Sequence, residues 1–258
     1  MAENVIVTAG EDFIGEITLN RPESLNTFTL PLASELTAAL LELDADPAVR
    51  VIILNGAGKA FCAGIDVGDF FGKSTQEYRN WIVRMETPLE TISCMNKPVI
   101  AQVHGVAAAN GAGLVAACDL AISADNARMG LTAINVGLNC VGPVIPVSRS
   151  VGRKRAMEML LYGELIKAPE AMAMGLINKV VPADEVVMEA RRWASVLAAK
   201  SPVAVQNAKS AFYAAADLNY NKAFNYMNEA FARLCSSEDA KEGVTAFLEK
   251  REPTWQEK

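Results

Sequence analysis

Three short apolar runs constrain this chain more than any other feature. They are Val51-Ile-Ile-Leu54, Pro98-Val-Ile-Ala-Gln-Val103 and Leu120-Ala-Ile-Ser123. The first two are rich in β-branched residues, and none shows the strict alternation of a half-exposed strand. Such runs read as strands buried on both faces, the habit of a parallel sheet covered by helices. The stretches between them carry helical patterns: Leu32, Leu36, Leu40 and Leu43 recur at helical spacing before Pro47, and a second helix is expected from Gln76 to Met95. Strands alternating with helices place the chain in the α/β class.

The rest of the pattern is consistent with one α/β body. Ile14-Gly-Glu-Ile-Thr-Leu19 alternates apolar and polar positions, as a half-buried strand does. Beyond Arg149 strand signals fade, and Ile177 to Val181 is the last of them. A core over 1–200 and a helical region over 201–258 are expected. Within the latter, Ser201-Pro202 opens a helix predicted to run to about Cys235, and Ser237 caps a final one. The 258 residues are 51% apolar and 21% charged, enough to fill a sizeable core and unlike a disordered chain.

Charge and rare residues narrow the chemistry. Asp+Glu exceed Lys+Arg, 30 against 24, a poor balance for general nucleic-acid binding. The single histidine, His104, rules out a multi-histidine metal site, and any Ser/His or Cys/His triad must use it. At a strand end its simplest role is a structural hydrogen bond. Cys62, Cys94, Cys118, Cys140 and Cys235 are odd in number and widely spaced, with no C-x-x-C, which argues against zinc or a disulfide framework. The least polar stretch, Val106 to Ala124, contains Asn110 and Asp119 and is a weak membrane-span candidate. With no leader pattern at the start, a reduced, cytoplasmic protein is expected.

Two small-residue loops follow the buried strands. Asn110-Gly-Ala-Gly-Leu-Val-Ala116 contains G-x-G-x-x-A, but only about seven residues separate Gly113 from the next strand. A dinucleotide unit needs a full crossover helix and a later acid, so NAD binding is disfavoured. What remains is a helix start with free N–H groups and little side-chain bulk. Lys59-Ala-Phe-Cys-Ala-Gly-Ile-Asp66 is a similar loop, with Asp66 and Asp69 expected at a helix start and Asp66 placed to cap it. Two such loops could together present an oxyanion hole if the fold brings them together.

These two segments, the second extended as Val103-His-Gly-Val-Ala-Ala-Ala-Asn-Gly-Ala-Gly-Leu-Val-Ala-Ala-Cys-Asp119, resemble the signature segments of the crotonase (enoyl-CoA hydratase/isomerase) superfamily. Leu19-Asn-Arg-Pro22, Pro98-Val-Ile-Ala101, Gly175 to Val181, Ser201 to Val205 and Glu238 to Gly243 fit the same family in order. The resemblance implies a spiral of ββα turns with a C-terminal helical trimerisation region. It implies a homotrimer or a hexamer of paired trimers. It also implies an acyl-CoA ligand, the substrate itself carrying coenzyme A and no further cofactor being needed. The backbone N–H groups of Ile65 and Asn110 are then the expected oxyanion donors. Ser24, Leu25, Ala63, Gly64, Ile65 and Asp66 are the expected CoA contacts, with Lys250 reaching CoA phosphate across a subunit boundary.

The chain departs from the family's hydratases where proton transfer is done. Gly113 and Ala133 stand where those enzymes carry two glutamates, and Val141 where dienoyl-CoA isomerases and 4-chlorobenzoyl-CoA dehalogenases carry an aspartate. Neither glycine, alanine nor valine can move a proton. The polar candidates left nearby are Asp66, Thr132, Asn135, Asn139, Cys140 and Cys62. The expectation is an acyl-CoA-binding family member that is not an efficient hydratase. Malonyl-type decarboxylation or another enolate reaction is an alternative, and a non-catalytic acyl-CoA-binding scaffold another. Glutamate restored at both positions 113 and 133 is expected to raise hydration.

Overall fold

The computed structural model describes residues 3–68 and 70–256. Asp69 lies outside the described residues.

The three apolar runs do form the middle of a parallel sheet. The strands are β1 (Val5–Ala9), β2 (Ile14–Leu19), β3 (Val51–Gly56), β4 (Val99–Val103), β5 (Val106–Ala108), β6 (Leu120–Ala124), β7 (Arg128–Gly130), β8 (Ile166–Lys167) and β9 (Lys179–Val181). The large sheet has the order β1-β2-β3-β4-β6-β9. β1 joins β2 antiparallel, and every other neighbour in it is parallel. Val51, Ile52, Ile53 and Leu54 are fully buried, as a two-sided cover requires.

The helices are α1 (Leu30–Ala45), α2 (Thr75–Cys94), α3 (Asn110–Ala117), α4 (Val144–Tyr162), α5 (Ala168–Met174), α6 (Val186–Ala198), α7 (Pro202–Ala215), α8 (Tyr220–Cys235) and α9 (Glu238–Glu249). α6 lies across β2, β3, β4 and β6, while α1 packs on β1 and β2 and against α2. Ser74 starts α2 with a reciprocal cap: its hydroxyl accepts from the Glu77 N–H, and the Glu77 carboxylate accepts from the Ser74 N–H.

The chain repeats one unit. A long strand enters the large sheet, a short one enters a second layer, and a helix returns. β4, β5 and α3 make one such turn; β6, β7 and α4 make another. The second layer holds β5-β7-β8 and continues through single bridges, Cys62 to Ala107 and Phe28 to Ile65. The short strands β5 and β7 have three residues each, too few for a periodic signal.

Two expected helix boundaries are corrected. The helix predicted from Ser201 to Cys235 is two helices, α7 and α8, because Asn219 turns the chain and caps α8 by accepting from the Lys222 N–H. Asp66 caps no helix. Its carboxylate accepts from the Gly68 N–H in a local turn, and the next helix begins only at Thr75.

α7 is tied to the core by a buried charge cluster. Lys209 Nζ donates to Asp119 Oδ2 (2.8 Å) and to the Lys97 carbonyl (2.8 Å). The same carboxylate accepts from the Val99 N–H (2.7 Å) and the Tyr213 hydroxyl (3.0 Å). No described helix is long and apolar enough to cross a membrane.

Candidate active site

The two small-residue loops converge. Phe61 N–H donates to the His104 carbonyl, Cys62 N–H to the Val106 carbonyl, and Ala108 N–H to the Cys62 carbonyl. This ladder runs the 61–63 segment alongside β5. Glycine lets it close: a Cβ on Gly111 would overlap the Cys62 carbonyl, and one on Gly105 the Lys59 carbonyl. Gly64 lies against Ala108 and Ala109, so a Cβ there would sit 3.2 Å from that of Ala109. Ile65 and Asn110 are thus the next residues along two segments already in contact.

Both expected donors are uncommitted. Among the described residues, neither the Ile65 nor the Asn110 backbone N–H has an acceptor, whereas Asp66 N–H donates to Phe28 and Gly113 N–H to Ala109. Asn110 is the first residue of α3, where helical N–H groups have no partner within the helix. Ala109 just before it holds φ +49°, a left-handed conformation that costs a side-chain-bearing residue of order 1–3 kcal/mol. That turn sets the direction in which α3 starts. The Asn110 side chain is buried and donates to the Met85 carbonyl on α2 (3.4 Å).

The residues expected to meet CoA are knit together around the same loop. Ala63 N–H donates to the Leu25 carbonyl, and Phe28 N–H to the Gly64 carbonyl. Leu25 and Asn26 both take positive φ, and the buried Asn26 side chain donates to the Ala57 and Ala60 carbonyls. Ser24 ends the short 3-10 turn that precedes them. Asp66 pairs with Arg21 at 3.2 Å. The hydrogen bond from Gly68, with that from Arg21, holds the Asp66 carboxyl below its ordinary range, so it is a structural anion and a poor proton carrier. Lys250 caps α9, which packs on α7 and α8. Within one chain no hydrogen bond or ion pair joins it to these loops among the described residues.

The polar candidates of the 132–140 segment are scattered. Thr132 and Asn135 lie in a 3-10 turn, where Asn135 donates to the Gly163 carbonyl, and Asn139 is exposed. Cys140 is buried, and burial pushes its thiol up; Cys62, wholly buried, is pushed up to about 12. Neither is a thiolate nucleophile. His104 Nε2 lies 3.1 Å from the Gly58 carbonyl, a structural bond as expected.

The space that a carboxylate at position 113 would need is filled. A Cβ on Gly113 would lie 2.8 Å from Leu89 Cδ2, 2.8 Å from Pro143 Cβ and 3.0 Å from Pro143 Cα. The expectation that glutamates at 113 and 133 raise hydration is therefore revised, because Pro143 backbone occupies the first position. One carboxylate does enter this region, and sequence reasoning missed it. Glu86 on α2 lays its carboxyl where a Cβ on Gly142 would stand, and influences Cys140. Burial raises it above the usual carboxylate range, and the Gly142 backbone amide partly offsets this. No spacing rule links residue 86 to residues 140–143.

The enoyl-CoA hydratase/isomerase family model matches residues 10–258. This chain belongs to that family. A relative, the mitochondrial enoyl-CoA hydratase domain-containing protein 3 of Xenopus laevis, is 34% identical over 95% of this chain and 84% of its own length. The short-chain-enoyl-CoA hydratase of Clostridium acetobutylicum is 33% identical over 97% of each. The crystal structure of enoyl-CoA hydratase from Mycobacterium smegmatis superposes with a TM-score of 0.95 at 37% identity, covering 98% of this chain and 99% of that one. The spiral is thus the crotonase fold.

Proposed function

We propose that this chain binds an acyl-CoA thioester and holds its enolate oxygen between the backbone N–H groups of Ile65 and Asn110, without being an efficient hydratase. The observation that carries the reading is the convergence of the two loops at Gly64 and Ala109, next to two N–H groups that have no acceptor. Preorganised backbone donors of this kind stabilise negative charge that develops on a carbonyl oxygen. Gly113 and Ala133 supply no acid or base, and each such group is worth ~10²–10⁴-fold in rate.

The test uses crotonyl-CoA. Calorimetry is expected to show binding, and the enoyl absorbance is expected to fall at less than a hundredth of the rate of an ordinary hydratase. A rate within a hundredfold overturns the view that hydration is lost, and absence of binding at millimolar concentration overturns the acyl-CoA reading itself. Decarboxylation is the second reading, favoured because both donors are present while the usual carboxylates are absent: the departing carboxylate supplies the electrons. Carbon dioxide release from malonyl-, methylmalonyl- or ethylmalonyl-CoA tests it.

We further infer self-assembly through the C-terminal helices, as a trimer or a pair of trimers. α8 buries only Ala230 within the chain, yet carries Phe224 and Phe231, and Phe212, Phe247 and Leu248 are exposed nearby in sequence. An aromatic surface on this scale calls for a partner. Sedimentation of wild type against Phe231→Glu checks this.

A further inference from the structure

Any enolate reaction has to put a proton on the α-carbon or take one from it, so a site lacking the usual glutamates still needs a carrier. Of the three glutamates on α2, Glu77, Glu86 and Glu90, Glu86 is the one whose carboxyl reaches the loop around position 141. Met85 accepts from the Asn110 side chain, and its neighbour Glu86 reaches the 140–143 loop, where its carboxyl rests on Gly142. Pro143, next in the chain, fills the space beside Gly113 on the first turn of α3. Asn110, Gly113, Cys140 and Gly142 are therefore gathered around one stretch of α2, Met85 to Leu89. Half-buried Glu86 has no cationic partner among the described residues and no hydrogen bond to another side chain. Its polar partner among the described residues is the Gly142 backbone amide, which leaves the charge without a counter-ion.

We propose that Glu86 is the proton-transfer group of the acyl site, replacing the carboxylates that the chain lacks at 113, 133 and 141. The proposal rests on the acyl-CoA reading above. As base, the Glu86 carboxylate takes the α-proton; the C–H electron pair becomes the enolate double bond, and the negative charge passes to the thioester oxygen facing Ile65 and Asn110. As acid, Glu86 returns a proton to the α-carbon and the carbonyl reforms. Burial raises this carboxyl above the ordinary carboxylate range, the direction that makes it a better proton donor. The titratable side chain that feels its charge is the Cys140 thiol on the facing loop, itself kept neutral by burial.

The experiment follows exchange of the α-hydrogens of butyryl-CoA in deuterium oxide by mass spectrometry, with calorimetry of butyryl-CoA in parallel. Wild type is expected to exchange, with a rate that climbs through one ionisation above the ordinary carboxylate range. Glu86→Gln is expected to lose at least ~100-fold in exchange while still binding butyryl-CoA. Glu86→Asp, which keeps the carboxylate on a shorter arm, is expected to recover part of the rate, a rescue that a packing role would not give. Binding without wild-type exchange, equal exchange by Glu86→Gln, or a flat pH profile in wild type overturns the assignment and leaves the binding reading standing. No binding by wild type removes the reading on which it rests. Should Glu86→Gln fail to fold, the wild-type pH profile and Glu86→Asp decide.

Discussion

Glutamate at position 113 is expected to harm this protein rather than restore an enzyme. The perturbation can be split into steps. An alanine there places a Cβ 2.8 Å from both Leu89 Cδ2 and Pro143 Cβ, and 3.0 Å from Pro143 Cα. The leucine tip can swing away, but the proline ring and backbone are fixed at the start of α4. Overpacking of this kind costs about 1–3 kcal/mol, and the better helix propensity of alanine returns about 1 kcal/mol. Gly113→Ala should therefore cost about 0–2 kcal/mol. Glutamate adds a carboxylate in a crowded apolar wall, for a total of at least about 3 kcal/mol. In a chain of this size that lowers the Tm by roughly 6–12 °C.

Differential scanning calorimetry reads the Tm, and the crotonyl-CoA absorbance assay reads the activity. Gly113→Glu/Ala133→Glu is expected to melt lower and to gain no hydration. A double-mutant cycle locates the cause: Gly113→Ala should cost less in a Pro143→Gly background, since one of the two closest contacts is then gone. A Gly113→Glu variant that melts with wild type and hydrates crotonyl-CoA would refute the reasoning.

Three further outcomes follow from the same structure. Lys209→Met leaves the Asp119 carboxylate buried without its cation and should cost about 3–5 kcal/mol in urea unfolding, with Asp119→Asn in the same chain recovering part; an effect within experimental error would contradict the cluster's role. With a thiol reagent at pH 7, exposed Cys94 should react in the native protein, while Cys62, Cys118 and Cys140 should wait for unfolding; fast labelling of any of these three would mean that its surroundings open. The Glu242 carboxyl, held down to about 2 first by Arg251 and then by the Thr254 N–H, ties the segment after α9 in place. Because its folded value is depressed, that tie is fully present above the ordinary carboxylate value of 4.5 and fades as pH falls towards about 2. Acrylamide quenching of Trp255, whose indole donates to the Ala199 carbonyl, should report this and lose its pH dependence in Glu242→Gln; a midpoint at or above 4.5 would contradict it.

What could be read in advance and what could not have different physical origins. Val51 to Leu54 and Val99 to Val103 announce themselves because burial on both faces selects residue type at every position. Caps such as Ser201 and Ser237 are equally local, since one hydroxyl and one amide three residues on make them. The three-residue strands β5 and β7 leave no such trace, because three positions hold no period. Asp66 misled for a related reason: an aspartate that accepts an N–H two residues on closes a turn as readily as it starts a helix.

The amino-acid sequence by itself determined the class of fold, the small-residue loops at Ile65 and Asn110, and the absence of carboxylates at 113, 133 and 141. Each of these is set within a few residues of chain. The tertiary structure alone decided that the two loops meet at Gly64 and Ala109, that Pro143 fills the room beside Gly113, and that Glu86 reaches the 140–143 loop from α2. Those facts depend on segments some 30 to 56 positions apart being brought into van der Waals contact. Packing sets such contacts through the combined shape of many side chains, and no local spacing encodes it.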